Sequence, residues 1–554
     1  MPETGSNQGQ ITMGCAQYRK ILLMIMIGIA GSVWGQGGSG RDAAAQQAGG
    51  RGGGRGGGGG GAIGLYTYDQ AAGSGAAIPD APPVETHQKI AINGEAIPYT
   101  ARAGFMPLRN ATTGQSTAHL FFTCYTRDGV SNAAARPVVF FLGGAPGVAA
   151  AWQEFGGLGP KRMKWAADGT AGQPPYAWED NPHSLLGAAD LVFVNPVGTA
   201  YSRPDQPARG PEFWSTAGDL AALGEFVRGF LKTYDRGNSP LYLAGEDFGT
   251  GRAAGLAAYL LERQITVHGV VLLSMTLSGD ATAGDTQYLT LLPSLTLAAW
   301  HHKKLAADLQ AMSADQVADQ ARQFAAREYL HALYKGARMT AEERARALAG
   351  LERLTGVSKA FLVNNDLRIT LERFNTELLR EERRSLSASD ARVTGFVPGS
   401  GGGRGGGRGG GGGPAGPVDY NLSRRAGGFL AAYEAYLRRE LNFTGGTGIF
   451  YLSGGGISAF TSTGSDDASL TGAFIRNPRL RLFAAVSYFD LEAPFYAAEF
   501  TLSHMNISPE VRARNLTVSR FESGQMPYLD GKALPRLRTD LEKFISEPAS
   551  QERK

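Results

Sequence analysis

The stretch of sequence that decides the fold is residues 240–260, which read PLYLAGEDFGTGRAAGLAAYL. Its first five residues are apolar and typical of a buried strand, and residues 250–260 have the composition of a helix. Between them lies the tight turn GEDFG at residues 245–249. A strand, a turn of small residues and a helix in this order predict that the central side chain, Asp247, is exposed above the edge of a sheet.

This arrangement is typical of the nucleophile elbow of an α/β-hydrolase, in which the central residue is usually a serine. Here it is Asp247. We expect Gly245 and Gly249 to let the backbone take the strained turn. The N-terminus of the following helix favours negative charge on the reacting group.

Further apolar runs predict the rest of a parallel sheet covered by helices on both faces. An amphipathic helix is predicted over residues 213–234, and Asn93-Gly94 predicts a hairpin before the parallel strands. The fold class is therefore α/β, an α/β-hydrolase core with a mostly parallel sheet. The predicted buried strands are residues 138–142, 191–194, 241–244, 270–273, 482–486 and 516–518.

Residues 284–395 differ from this pattern, because they are rich in Ala, Leu, Arg and Glu and contain capping boxes at residues 313–316 and 340–343. We interpret them as a helical insertion over the active edge of the sheet. The predicted domains are a signal peptide (1–35), a disordered Gly/Arg-rich leader (36–84), the first part of the core (85–283), the insertion (284–395), a Gly-rich linker (396–417), the second part of the core (418–547) and a tail (548–554).

Much of the excess of the 78 glycines lies in two tracts, residues 37–61 and 400–413. Such segments bury no apolar surface that would offset their ordering entropy, so we expect both tracts to be disordered. The arginines at positions 51, 55, 404 and 408 in these tracts account for the formal net charge of +4, which leaves the remainder neutral. This balance argues against nucleic acid as a partner.

The N-terminus predicts export. Arg19 and Lys20 precede an apolar run at residues 21–30, which is too short to span a membrane and is typical of a signal peptide cleaved before Gln36. We expect a periplasmic or extracellular protein without a membrane span once the signal is removed. Cleavage removes Cys15 and leaves Cys124 alone, so no intramolecular disulfide forms and Cys124 is interpreted as a core residue.

From about residue 85 to residue 547, broken only by the second glycine tract, the chain resembles the serine carboxypeptidase family, in particular its secreted bacterial branch. Several sequence blocks carry the resemblance in the family's order. They are FFLGGAPG at 140–147 with Trp152 and residues 157–160, LVFVNPVGTAYS at 191–202, LPS at 292–294 with AAWH at 298–301, SYFDLEAPF at 487–495 and FESGQMPY at 521–528.

The resemblance implies a degenerate catalytic triad at Asp247, Asp490 and Gln525. Asp247 replaces the family's serine and Gln525 its histidine, and Asp490 is retained. The Asp of the second block is Asn195. The resemblance further implies an oxyanion hole at the backbone N–H groups of Ala145 and Phe248. It assigns substrate binding to Gly143, which replaces an Asn, and to Gly144 and Glu246.

Gln525 cannot act as a base, because an amide does not titrate near neutral pH. The sequence therefore predicts a catalytically degenerate homologue that acts as a binding or scaffold protein. The alternative is an active hydrolase, either a carboxypeptidase or an Asp-nucleophile hydrolase of esters or epoxides. The predicted ligand is a peptide or a small molecule, and neutral or cationic ligands are favoured because Asp247 adds a carboxyl beside Glu246. We assign no metal, cofactor or protein partner.

Overall fold

The computed structural model describes residues 78, 80–144, 147–277, 280–397, 419–446, 450, 452, 460, 461 and 466–547. The predicted signal peptide, most of the leader, the tract at 400–413, the tail and Ala145 lie outside these described residues. Within the described ranges we find no helix whose length and hydropathy would let it cross a bilayer.

A ten-stranded sheet forms the centre of the described structure. The strands of the central sheet and of two small sheets are, in chain order, β1 Val84–Ile92, β2 Glu95–Arg109, β3 Ser116–Arg127, β4 Val138–Phe141, β5 Lys161–Met163, β6 Trp178–Asp180, β7 Asp190–Val194, β8 Arg203–Pro204, β9 Leu241–Asp247, β10 Gly269–Met275, β11 Arg384–Leu386, β12 Thr394–Phe396, β13 Arg481–Ser487 and β14 Leu516–Phe521.

The order across the central sheet is β1-β2-β3-β7-β4-β9-β10-β13-β14, with β8 beside β3. From β7 to β14 every neighbouring pair is parallel, whereas β1, β2, β3 and β7 pair antiparallel. The pairs β5–β6 and β11–β12 form two small separate sheets. The mostly parallel sheet confirms the predicted fold class, and its parallel strands end at one common edge.

The helices are α1 Ala151–Gln153, α2 Thr216–Thr233, α3 Phe248–Glu262, α4 Thr286–His301, α5 Ala307–Gln310, α6 Ala314–Phe324, α7 Leu330–Lys335, α8 Ala341–Thr355, α9 Lys359–Asn364, α10 Leu371–Glu377, α11 Tyr420–Ser423, α12 Ala426–Arg439, α13 Asp466–Arg476, α14 Phe495–His504, α15 Pro509–Asn515 and α16 Ala533–Ser546. A π-helical turn at Ala325–Tyr329 joins α6 to α7.

Helices cover both faces of the sheet because successive side chains of a buried strand point to opposite sides. Val138 and Phe140 belong to the core on the side of α2 and α3, together with Phe226. Val139 and Phe141 belong to the core on the side of α12 and α16. Both faces of the parallel strands are thus apolar, as their continuous hydrophobic runs predict.

Local sequence signals are confirmed at several points. Asn93 and Gly94 both have positive φ, 52° and 81°, in the turn between β1 and β2. Both predicted capping boxes are present, one before α6 and one before α8. Residues 284–395 are mainly helical as far as α10 but end in the β11–β12 hairpin, which the local sequence pattern did not predict. Cys124 is a fully buried free thiol on β3.

Candidate active site

The elbow is a strained turn centred on Asp247, whose φ of 50° and ψ of −127° are rarely adopted by residues other than glycine. Gly245 and Gly249 allow this turn, as expected, because neither position has room for a Cβ. A Cβ on Gly245 would lie 1.8 Å from the carbonyl oxygen of Gly249, and one on Gly249 would lie 2.1 Å from that of Gly143. The two glycines are needed for close backbone approach, while Asp247 itself carries the strain.

The Asp247 carboxyl lies at the N-terminus of α3 and is partly accessible. Removal from water raises its pKa, and hydrogen bonds from the backbone N–H of Phe248 and from the Thr276 hydroxyl oppose that rise. The Thr250 hydroxyl donates to the Asp247 carbonyl oxygen at 2.6 Å and accepts from the Thr276 N–H at 3.1 Å. The loop after β10 therefore helps to hold the elbow carboxyl in place.

Glu246 lies below the turn and is buried, with 3% of its surface exposed. Its Oε2 accepts a hydrogen bond of 2.6 Å from the Tyr528 hydroxyl, while Oε1 has no partner among the described residues. Burial raises the pKa of Glu246 to about 8, and the charge of Asp247 adds to this rise. At neutral pH the protonated form of Glu246 is therefore favoured.

Asp490 follows the end of β13 and is completely buried. Its Oδ1 accepts hydrogen bonds from the backbone N–H groups of Glu492, at 3.0 Å, and Ala493, at 2.9 Å, and Oδ2 has no geometric hydrogen-bond partner among the described residues. Burial raises the pKa of Asp490 well above its ordinary value, and the charges of Glu492 and Asp247 raise it further.

Gln525 lies in the loop after β14 and is buried. Its Nε2 donates to Glu492 Oε2 at 3.4 Å, and its backbone N–H donates to the Ser389 carbonyl oxygen at 2.7 Å. The Ser274 hydroxyl donates to the Gln525 carbonyl oxygen. No side-chain hydrogen bond joins Gln525 to Asp247 or Asp490 among the described residues, so the hydrogen-bond chain of a serine triad is not formed here.

The loop after β4 is held against the elbow helix by a buried ion pair. Arg252 Nε donates to Asp219 Oδ2 at 2.6 Å, and its Nη1 donates to the carbonyl oxygens of Leu142, at 3.1 Å, and Gly144, at 2.7 Å. Gly143 has a φ of +71°, and a Cβ there would lie 2.7 Å from the Val148 carbonyl oxygen. The backbone at Gly143 therefore disfavours any larger residue.

The Asn195 side chain joins neighbouring backbone segments through hydrogen bonds. Its Oδ1 accepts from the Ala150 N–H at 2.9 Å, and its Nδ2 donates to the Phe121 carbonyl oxygen at 3.2 Å. These bonds tie the end of β7 to β3 and to the loop after β4, so the Asn195 amide is used in holding these segments together.

Glu492, two residues after Asp490, is a further carboxyl at the site that the sequence pattern did not distinguish. Its side chain is accessible to solvent yet contacts Gln525, and it lines a cavity of about 250 Å³ together with Thr276. Partial removal from water raises the pKa of Glu492 to about 7, and the charges of Asp247 and Asp419 add to this rise. A second carboxyl in the same block was the only sequence signal for it.

None of the eight histidines hydrogen-bonds to Asp247, Asp490 or Gln525 in the described structure. The ring of His301 packs against Phe489, the neighbour of Asp490 in sequence, and burial lowers the pKa of His301 to about 4. The Nδ1 of His268 accepts from the backbone N–H of Leu241. The ring of His504 stacks on Phe500. These rings have structural roles.

The structure thus brings together a group of carboxyls at the carboxyl edge of the sheet. Asp247, Asp490 and Glu492 influence one another's charge, and Glu246 is coupled to Asp247. Like charges at such proximity favour protonation of some members of the group. Among the described residues no set of three or more His, Cys, Asp or Glu is arranged to hold a metal ion.

Comparisons with known proteins found similar sequences and structures. The chain is 26% identical over 194 residues to a carboxypeptidase Y homolog from Arthroderma benhamiae, and the match spans about a third of each protein (34% of both). In structure it is similar to Kex1(delta)p, a prohormone-processing carboxypeptidase from Saccharomyces cerevisiae, with a TM-score of 0.49, 13% identity and coverage of 80% of this chain and 91% of that one.

A putative lipase from Sulfolobus solfataricus is similar with a TM-score of 0.35 and 11% identity, over 84% of this chain and 98% of the other. The profile of the family described as serine carboxypeptidase matches residues 93–377, which is just over half of the chain and contains the elbow. On this match the chain belongs to the serine carboxypeptidase family.

Proposed function

We propose that this chain is an exported, catalytically degenerate member of the family that binds a ligand without hydrolysing peptides. The observation that carries the proposal is the environment of Gln525. Its amide donates to Glu492 at 3.4 Å, and no described histidine takes its place beside Asp247. A serine-type mechanism needs a base that accepts the proton of the nucleophile, and an amide does not do so.

The binding pocket of the family's substrate carboxylate is also altered. The Asn that the family resemblance places at residue 143 is absent, and the positive φ of Gly143 with its tight approach to Val148 disfavours its return. Asp247 and Glu492 add carboxyls to the site, which repel an anionic terminus. Both changes weaken the recognition of peptide C-termini.

One observation favours a second candidate, an Asp-nucleophile hydrolase of esters or epoxides. Asp247 has the strained elbow conformation that exposes a nucleophile, and Glu492 lies in the same group of carboxyls with its pKa raised to about 7. With an epoxide, Asp247 would attack a ring carbon and break its C–O bond, and the resulting alkoxide would take a proton from solvent to give a hydroxyalkyl ester. Glu492 would then activate the water that cleaves this ester, which releases a diol and restores the Asp247 carboxylate. Attack of Asp247 on the acyl carbon of an ester or a peptide would instead pass through an energetically costly anhydride.

An assay separates the two candidates. Purified protein is tested on blocked dipeptides, activated esters and an epoxide, beside Asp247→Ala and the double variant Asp247→Ser with Gln525→His. We expect the wild type to be inert, because loss of triad members typically removes about a millionfold in rate. We expect weak activity at most in the double variant, because Gly143 does not supply the Asn amide of the family. Turnover by the wild type that disappears in Asp247→Ala would reject the binding function and favour the second candidate.

A further inference from the structure

We propose that the pocket beside Asp247 and Glu492 binds a small organic cation, an ammonium head with a short apolar tail. This inference rests on the proposed function, because it takes the site to hold a ligand without turnover. It goes further by assigning the charge and shape of that ligand.

The shape of the pocket indicates the tail. The cavity of about 250 Å³ lies between the loop after β10 and the start of α14, and it opens to solvent. This volume suits a ligand well below drug size. The lining is largely apolar, with Thr276, Thr282 and Thr501 as the uncharged polar residues. The apolar wall is formed by Met275, Leu277, Ala281, Ala493, Ala497 and Ala498.

The charges around the pocket indicate the head. Glu492 is the ionisable residue that lines the cavity, and the charged groups that act on it are Asp247, Asp419 and Asp490, all of them carboxyls. No ion pair between described residues joins a lysine or arginine to Glu492, Asp247 or Asp490. The nearest buried cation on the elbow helix, Arg252, is already paired with Asp219.

The hydrogen-bonding capacity of Glu492 also suits an ammonium head. Glu492 lines the cavity and is accessible to solvent, and the described hydrogen bond to its side chain comes from Gln525 at 3.4 Å. A carboxylate has further acceptor positions, and an ammonium group supplies three N–H donors and no acceptor. A cation in the cavity therefore matches both the charge and the acceptor positions of Glu492.

Other ligand charges fit less well. A carboxylate or phosphate would add a like charge to a group of acids whose pKa values are already raised. A neutral ligand would fill the apolar pocket but leave the Glu492 carboxylate without a counter-charge. The Glu492 carboxylate therefore favours a cationic head, and the apolar wall of the cavity favours a short apolar tail.

Binding is measured by isothermal titration calorimetry on the full chain with three probes that share one tail, namely hexylammonium, hexan-1-ol and hexanoate. We expect hexylammonium to bind at least about tenfold more tightly than either of the others at pH 8. Equal affinity for hexylammonium and hexan-1-ol, or no binding of hexylammonium by the folded protein, would overturn the proposal.

Two variants test the head and the tail separately. Glu492→Gln removes the charge with little change of shape, so hexylammonium affinity should fall about tenfold or more while hexan-1-ol affinity stays. Ala497→Leu fills the cavity and should weaken both. Glu510→Gln, on the exposed first turn of α15, is the control and should bind like the wild type. Unchanged hexylammonium binding in folded Glu492→Gln would reject the proposed head site.

The pH dependence gives a further readout. Because the pKa of Glu492 is raised to about 7, its charged form is lost as pH falls, and hexylammonium should bind more weakly at pH 5.5 than at pH 8. Peptide turnover is measured on the same preparations. Turnover together with hexylammonium binding would reject only the proposed function, whereas an inert protein that ignores hexylammonium would reject only the cation.

Discussion

The hydroxyl of Tyr528 donates a hydrogen bond to Glu246 Oε2 at 2.6 Å, and both residues are buried. This contact joins the block that follows β14 to the nucleophile elbow, across 282 positions of sequence. It leaves Glu246 with a single donor, since Oε1 has no partner in the described structure. The stability of the elbow should therefore depend on Tyr528.

Tyr528→Phe should lower the free energy of unfolding by about 1–3 kcal/mol, because it leaves the buried Glu246 carboxyl without its donor. Denaturant-induced unfolding of the variant and the wild type measures this loss. Tyr334→Phe is the matched control, since Tyr334 is 79% exposed and should change stability little. Equal stability of Tyr528→Phe and the wild type would show that the hydrogen bond contributes nothing.

The contribution of Glu246 to stability should fall as pH rises from about 4.5 to about 8. The pKa of Glu246 is raised on folding to about 8, so its protonated form is favoured in the folded state. The stability that Glu246 contributes is complete below its pKa in the unfolded chain. It is lost as pH rises through the pKa of Glu246 in the folded protein. The slope reaches about 1.4 kcal/mol per pH unit for each proton involved.

Glu246→Gln should flatten this pH profile, because the amide does not titrate. Unfolding by denaturant at several pH values between 5 and 8.5 measures the slope for both proteins. Glu154, Asp490 and Glu492 also have pKa values raised by burial and should preserve part of the slope in the variant. His301 and His302, whose pKa values are lowered by burial, contribute in the opposite direction in both proteins. A profile that is identical in the two proteins would contradict the assigned role of Glu246.

Gly245→Ala and Gly249→Ala should each destabilise the protein by more than 1 kcal/mol or prevent folding. The added methyl groups would lie 1.8 Å and 2.1 Å from backbone carbonyl oxygens, which cannot move aside as a flexible side chain does. Gly427→Ala is the control. A Cβ at Gly427, in α12, has nothing within 4 Å, so it should be neutral or stabilise the helix by up to about 1 kcal/mol. Thermal unfolding of the three variants distinguishes these outcomes.

Arg252→Met should cost about 3–5 kcal/mol, because it leaves the buried Asp219 carboxyl unpaired and removes the donors to Leu142 and Gly144. The double variant with Asp219→Leu should be less destabilised than Arg252→Met alone. The control is Arg228→Met, which breaks an exposed pair with Glu225 and should cost less than about 1 kcal/mol. Chemical denaturation of all four proteins tests this order.

Local patterns in the sequence were sufficient for the elements of the fold. The elbow stretch at 240–260, the Asn93-Gly94 hairpin and both capping boxes depend on residues that lie close together in sequence. The apolar runs indicated the positions of the buried strands, because a strand covered on both faces is apolar along its whole length. The family resemblance extended these local signals and agrees with the profile match.

The sequence pattern was insufficient where contacts join distant segments. It did not show that Glu492 contacts Gln525, or that Tyr528 is the donor for Glu246. It indicated a strained turn but not that the unusual φ and ψ fall on Asp247 itself. The sequence pattern also did not predict the β11–β12 hairpin, because its strands are three residues long and show no clear alternation of apolar and polar residues.

The sequence by itself determined the class of the fold, the position of the elbow and the presence of an aspartate at its centre. Only the tertiary structure decided which carboxyls share the site, which of them lack donors and which glycines are required by close approach. The physical reason is that periodicity and turn chemistry act over a few residues. Burial, charge coupling and hydrogen bonding at the sheet edge depend instead on the order of the strands in space, which places β9 beside β10 and β10 beside β13.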